Sequence, residues 1–355
     1  MADLAKFLVP LDCSIHDVIA RIDENAQGIA LCVDDTHHLK GTVTDGDIRR
    51  AILAGVDLCE PIRTLIENKT STPYPVPLTT RQGATDADLL RIMSESRVRH
   101  VPILDEDGRV VDIAILGSLV EDYELPLRAV VMAGGFGTRL RPLTEDCPKP
   151  MLAVGDKPLL ERTIESLHQA GIRRLHLTTH YKGDVIMGHF ADGRKFGMKI
   201  RYVKEDQPLG TAGALGLIEA SNEPVLVMNG DILTDIDYRA MLNFHREHHA
   251  VMTVAVRPYD WQVPYGVVET EGVDVTGFVE KPTLRRFINA GIYLINPEAR
   301  RHIPKGQTYS MPDLIDRLLQ DGKRVVSFPV REYWLDIGQH EDYEQARKDV
   351  ANWKR

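Results

Sequence analysis

The 355 residues carry 43 basic and 52 acidic side chains, a formal charge of −9, and 43% of them are hydrophobic. That is enough chain for two or three compact units with real cores, and the acidic balance argues against a general binder of nucleic acid or anionic membrane. Apolar runs such as 129–133 and 225–228 fall far short of the roughly 20 residues that cross a bilayer, and the opening residues lack the pattern of a secretory signal, so a cytoplasmic protein is expected.

Charge is unevenly divided, with 12 basic and 22 acidic side chains in residues 1–127 against 31 and 30 in 128–355. The polar, proline-containing stretch EDYELPLR (121–128) then marks a boundary, giving expected domains 1–124 and 125–355. The first contains an internal repeat, about 8–57 and 72–122. In the first copy Ser14 caps a helix to residue 21, 28–34 and 39–43 read as strands, and 47–53 as a second helix. In the second copy 86–95 reads as the helix, 101–105 as a strand and 109–115 as its hairpin partner. The segments HLKGTVTDGDIRRAIL (38–53) and RVRHVPILDEDGRVV (97–111) resemble a tandem pair of CBS domains.

That resemblance implies an adenine nucleotide, with Thr44 at a helix start and Asp47 accepting the ribose hydroxyls. It also implies a homo-oligomer formed by pairing with a second such module. Arg49, Arg97, Arg99 or His100 would offset a phosphate charge. Read by themselves, Thr44 and Asp47 also form a capping pair for the helix that follows. The second copy has ILGS (115–118) in their place, so at most one site is complete.

In the second half, strand 129–133 runs into Gly134, Gly135, Phe136, Gly137, Thr138 and Arg139. Glycines let backbone N–H groups approach phosphate oxygens, and Arg139 offers a planar charged fork to the same anion. The loop lacks the third glycine of GxGxxG and the GK[ST] of a Walker loop. Its continuation has prolines at 142, 148 and 150, which stiffen the segment presenting Lys149. Further strands at 174–179, 199–204, 224–229 and 250–256 alternate with helices near 158–170, 183–190, 211–220 and 237–248. This is a doubly wound α/β pattern, whose ligands gather beyond the carboxyl ends of the strands.

The run GGFGTRLRPLTEDCPKPM (134–151) resembles the signature of sugar-phosphate nucleotidylyltransferases. EDQPLGTAGAL (205–215), NGD (229–231), YGVV (265–268), VEKP (279–282), NAGIY (289–293) and WLDIG (334–338) follow in that family's order. The resemblance implies a mixed, Rossmann-like sheet and transfer of a nucleoside monophosphate from an NTP to a sugar 1-phosphate. It implies Asp231 and Asp336 as carboxylates for Mg²⁺, with Arg139 and Lys149 neutralising the triphosphate. Nucleotide contacts would come from Gly134, Gly135, Gly137, Thr138, Gln207, Gly210 and Thr211, small residues of 210–213 admitting the flat base. Sugar-phosphate contacts would come from Gly266, Glu280, Lys281 and Asn289, although Asn289 before Ala290 and Gly291 also suits a turn.

A CBS pair joined to such a domain resembles the guanylyltransferases for glucosamine 1-phosphate, of legionaminic acid synthesis, or mannose 1-phosphate. GTP is therefore expected, with UTP or dTTP as alternatives. A catalytically silent nucleotide sensor is a competing reading, against which stand Arg139, Lys149, Asp231, Lys281 and Asp336 at matched positions. A small-alcohol-phosphate transferase is another, against which VEKP and NAGIY favour a sugar. His245, His248 and His249 are expected to be solvated rather than metal ligands. Cys13, Cys32, Cys59 and Cys147 are widely spaced without any CxxC, and read as free or buried thiols.

Overall fold

The computed structural model describes residues 3–69, 74–120 and 124–353. The chain divides into two compact units, Met1–Glu124 and Leu125–Arg355.

The first unit holds two three-stranded sheets of the same design. In one, Leu8–Pro10 pairs in parallel with Ile29–Val33, which pairs antiparallel with Leu39–Thr44. In the other, Thr80–Arg81, His100–Leu104 and Val110–Ile115 repeat that order. Helix Ile15–Asn25 is capped by the Ser14 hydroxyl, and Asp86–Ser96 by a Thr85–Asp88 capping box, satisfying N–H groups that the first turn leaves open. Phe7, Ile29, Leu31 and Val33 of the first copy share one buried cluster with Val110, Ile113 and Ile115 of the second. The expected limits of the second copy, at 72 and 122, lie outside the described residues.

The second unit is a seven-stranded sheet covered by helices. Its strands are β1 (Arg128–Met132), β2 (Arg174–Thr179), β3 (Lys199–Lys204), β4 (Val225–Asn229), β5 (Met252–Gln262), β6 (Thr283–Ile295) and β7 (Val325–Pro329). They are ordered β3-β2-β1-β4-β6-β5-β7, and only β6 runs antiparallel to its neighbours. The fold is thus the expected doubly wound mixed sheet. Val130, Val225, Val227, Tyr293 and Ile295 from one face pack under Ala212, Leu215, Met311 and Leu314. Helices Leu159–Gln169, Gly183–Phe190, Tyr238–Glu247, Met311–Gln320 and His340–Asn352 cover the sheet and complete the unit.

Three expectations need correcting. The 211–220 helix is only a turn, Gly210–Gly213, followed by a 3-10 turn, Ala214–Leu217. Glycines at 210, 213 and 216 weaken a helix, and the N–H groups of Ala212 and Gly213 both donate to the Tyr309 carbonyl. The strand expected to end at 256 continues to Gln262 and pairs with the first half of β6 as an exposed arm. His245 is buried, with Nδ1 2.8 Å from the Thr253 hydroxyl, so it belongs to the packing of its helix against the sheet.

Candidate active site

β1 and β4 lie side by side and end together, since Asn229 is in register with Met132. The Gly230 N–H donates to the Met132 carbonyl at 2.9 Å, and a Cβ on Gly230 would sit 2.6 Å from that oxygen. Glycine is therefore required for the chain to pass here, and the passage sets Asp231 beneath the glycine loop that follows β1. The short strand Ile232–Thr234 pairs with Trp334–Asp336, placing Ile232 opposite Asp336. Ile337 N–H donates to the Asp231 carbonyl at 3.0 Å, so the two motifs are joined through the backbone.

The prolines around Lys149 do the expected work: Lys149–Met151 is a rigid 3-10 turn with Pro148 before it and Pro150 inside it. The Lys149 ammonium is buried and donates to Asp231 Oδ2 at 2.6 Å. Gly137 has φ +63°, a left-handed conformation, and a Cβ there would lie 2.9 Å from Thr144 and 3.2 Å from the Lys149 Cβ. The Thr144 hydroxyl donates to the Gly137 carbonyl, which fastens the glycine turn to the proline-rich segment. Arg139 reaches the other wall, its guanidinium 3.4 Å from where a Cβ on Gly338 would stand.

The four predicted charged residues thus form one cluster. Loss of solvation and the neighbouring Asp231 carboxylate push the Asp336 carboxyl above its ordinary value, against the pull of Lys149 and Arg139. Asp231 Oδ1 is buried without a hydrogen-bond partner. Two carboxylates that repel one another, one with a buried open lone pair, suit a hard divalent cation completing its shell with water and phosphate oxygens. No group of three or more His, Cys, Asp or Glu side chains with metal-site geometry occurs among the described residues, so this is a two-carboxylate candidate.

The other predicted residues are placed differently. Gly210, with φ +77°, and Gly213 admit the 307–309 backbone: a Cβ on either would come within 2.8 Å or less of the Tyr309 or Gln307 carbonyl. Thr211 Oγ1 accepts the Met311 N–H. Gln207 is exposed and makes no hydrogen bond or ion pair among the described residues. Asn289 lies inside β6, where the register against β5 shifts; its Oδ1 accepts the Gly291 N–H and its Nδ2 donates to the Tyr293 hydroxyl. Gly266, Glu280 and Lys281 flank the two ends of a separate hairpin, Val267–Glu271 paired with Asp274–Val279, where Glu280 Oε2 would be 2.9 Å from a Cβ on Gly266 and both charged side chains are exposed.

Glu205 is the residue that the sequence reading passed over. It is buried, accepts the Leu209 N–H at 2.9 Å through Oε2, and presents Oε1 3.3 Å from a Cβ position on Gly134. It thus braces the start of the 205–213 segment and faces the glycine loop. Its place as the first residue of EDQPLGTAGAL was a signal, but nothing in the pattern distinguished it from Asp206 or Gln207. Trp334 was likewise not singled out; its indole N–H donates to the Ala290 carbonyl and Arg257 stacks on its ring, clamping NAGIY to WLDIG.

In the first unit, Thr44 and Asp47 form the capping box. Asp47 also accepts from Arg50 at 2.6 Å and from Lys69 at 2.8 Å, and Lys69 donates to the Thr42 carbonyl as well. Burial pushes the Asp47 carboxyl up, but Lys69, Arg50 and the Thr44 N–H hold it below its ordinary value. Arg49 is wholly buried in a bidentate pair with Asp45, which takes it out of the set suggested for a ligand phosphate.

Residues 128–352 match the family described as nucleotidyl transferase, well over half of the chain. The chain belongs to the nucleotidyl transferase family. The CBS domain family matches residues 6–54 and 73–121, so a CBS pair precedes the family domain. Among curated relatives, the probable mannose-1-phosphate guanylyltransferase 2 of Oryza sativa is 36% identical over 229 residues, covering 61% of this chain and 63% of the rice protein. Mannose-1-phosphate guanylyltransferase of Mycobacterium tuberculosis is 36% identical over 232 residues, covering 63% and 64%. The chain thus spans less than two thirds of the length of these relatives. Among solved structures, HddC from Yersinia pseudotuberculosis, complexed with GMP-PN, is 30% identical with a TM-score of 0.50, covering 63% of this chain and 99% of that one. A putative glucose-1-phosphate thymidylyltransferase from Bacillus anthracis, at 24% identity and TM-score 0.52, covers 64% and 97% and supports the fold.

Proposed function

We propose that the chain transfers GMP from GTP to a hexose 1-phosphate, releasing pyrophosphate and forming a GDP-sugar. The observation carrying this reading is the cluster of Lys149, Asp231, Asp336 and Arg139, a pair of carboxylates beside two cations at the carboxyl ends of the parallel strands. The acceptor phosphate oxygen is already anionic, so no general base is needed. It forms a bond to the α-phosphorus as the bond from that phosphorus to the bridging oxygen breaks, and pyrophosphate leaves with those electrons.

The protein's task is to hold two anions in line and neutralise the charge they share. Arg139 and Lys149 would bear on the departing pyrophosphate and the transferred phosphorus. Asp231 and Asp336 would hold Mg²⁺, which when bound polarises the phosphoryl oxygens. The guanine preference rests on the similarity to guanylyltransferases and on Glu205: a carboxylate suits the adjacent N1–H and N2–H donors of guanine, whereas uracil and thymine offer one such donor. Mannose 1-phosphate is the first acceptor to test and glucosamine 1-phosphate the second.

Pyrophosphate release is measured with GTP, ATP, UTP and dTTP, each against both acceptors and glucose 1-phosphate. GTP with mannose or glucosamine 1-phosphate should exceed every other pair by at least tenfold. Faster turnover with UTP or dTTP would overturn the base assignment, and silence with every pair would overturn the enzymatic reading.

A further inference from the structure

At the other end of the sheet from the candidate active site, basic side chains gather on one face. Arg128, Arg174 and Lys199 are in register across β1, β2 and β3, and His176 and Arg201 are in register one step further along the same face. Arg300 approaches from the helical turn Pro297–Arg300. Along β1, at 3.3 Å per residue, the Arg128 level stands about 20 Å from Gly134 and the His176 level, beside Val130, about 13 Å. The row is therefore separate from the cluster of Arg139, Lys149, Asp231 and Asp336.

The five cations are only partly balanced. Arg174 pairs with Glu223 at 2.7 Å and Arg201 with Glu219 at 3.3 Å, but the Glu219 side chain is 82% exposed, so water screens that pair. Arg128 and Arg300 both turn to the same backbone oxygen of Glu219, at 3.4 Å each, and Arg300 also caps the Leu215 and Ile218 carbonyls. These bonds satisfy donors without cancelling charge. The Arg300 Nε is buried with no partner.

Amid them lies His176, 7% exposed, with its Nδ1 buried and unpartnered. Burial, then Arg128, Arg201 and Arg300, push this imidazole down to about 4. An uncharged histidine with an open ring nitrogen, held among cations that repel one another, suits an anion. Guanidinium forks arriving from adjacent strands and from a helical turn match the several oxygens of a tetrahedral oxyanion better than a single carboxylate.

We propose that Arg128, Arg174, Lys199, Arg201, Arg300 and His176 form a second anion site that takes a phosphate group, free or as a monoester. The site lies against the 215–219 segment, which continues directly from the 205–213 segment beside the glycine loop.

The test is calorimetric titration of the full chain with inorganic phosphate at constant ionic strength, with glycerol 3-phosphate as a second arm to separate free phosphate from a monoester. Saturable binding is expected, weakened about tenfold or more in Arg201→Gln and in Arg128→Gln, as for loss of one charge-assisted bond. It should persist in Lys149→Ala, which disables the candidate active site. Arg201 has an exposed side chain, so Arg201→Gln leaves the fold intact even if Arg128→Gln does not. The His176 ring resonances should shift with phosphate and its titration midpoint should rise. Absence of saturable binding, undiminished binding in Arg201→Gln, or loss confined to Lys149→Ala would overturn the proposal.

Discussion

Lys149→Met tests whether the lysine ammonium is what allows two carboxylates to stand together. Methionine keeps most of the volume, so packing changes little. The Lys149 and Asp231 side chains are 10% and 26% exposed and 2.6 Å apart. Removing one partner of a fully buried pair costs about 3–5 kcal/mol, and the water that still reaches Asp231 lowers this to roughly 2–3 kcal/mol. The three tryptophans, at 261, 334 and 353, all lie beyond residue 125, so their fluorescence in urea follows the second unit alone. In EDTA the variant should lose about 2–3 kcal/mol against the parent. Saturating Mg²⁺, by supplying the missing positive charge, should reduce that difference to below about 1 kcal/mol. Turnover should fall about 10²–10³-fold, the range for loss of one preorganised charge partner. An unchanged midpoint in EDTA, or an identical loss with and without Mg²⁺, would refute the neutralising role.

Glu205→Gln keeps an acceptor for the Leu209 N–H but loses the carboxylate charge; kcat/KM for GTP should drop at least tenfold while that for UTP changes less, and an equal drop for both would remove Glu205 from base selection. The CBS resemblance puts ribose hydroxyls on Asp47, where Lys69 now donates. Lys69→Met should therefore tighten adenine-nucleotide binding at least tenfold by equilibrium dialysis, and unchanged or weaker binding would show that the lysine does not compete. His176 titrates near 4 in the fold against an ordinary 6.5, so the unfolded chain takes up the proton first. Stability should decline as pH falls from about 6.5 to about 4, and His176→Gln should flatten that slope in urea midpoints; a parallel slope would assign the acid sensitivity elsewhere.

What could be read in advance follows the range of the interaction. Caps are local, so Ser14 and Thr85 announced their helices within three residues. The glycine turn and the prolines around Lys149 are local too, and their geometry followed from residue type. Asp231 and Asp336, more than a hundred residues apart, were placed together through the family resemblance, and the strand pairing that joins them was invisible to periodicity. The 210–217 segment misled because its glycines serve the backbone at 307–309, a contact that no window of sequence contains. Asp47 had one reading from its neighbours, as a cap, and another from the CBS resemblance, and its ion pair with Lys69, 22 residues away, belonged to neither.

The Trp334–Asp336 strand contributes the last wall of the candidate active site, pairing with Ile232–Thr234 while Ile337 bonds to Asp231. During synthesis, a growing polypeptide could fold the glycine turn and the central strands long before that wall emerges. A translation product released ahead of residue 336 would keep the glycine turn, Lys149 and Asp231 yet lack the second carboxylate. Such a fragment would also lose Ile337, Tyr343 and Ala346 from the buried cluster they share with Leu140, Leu152, Leu159 and Leu233, so the last residues of the chain complete both the wall and the core behind it.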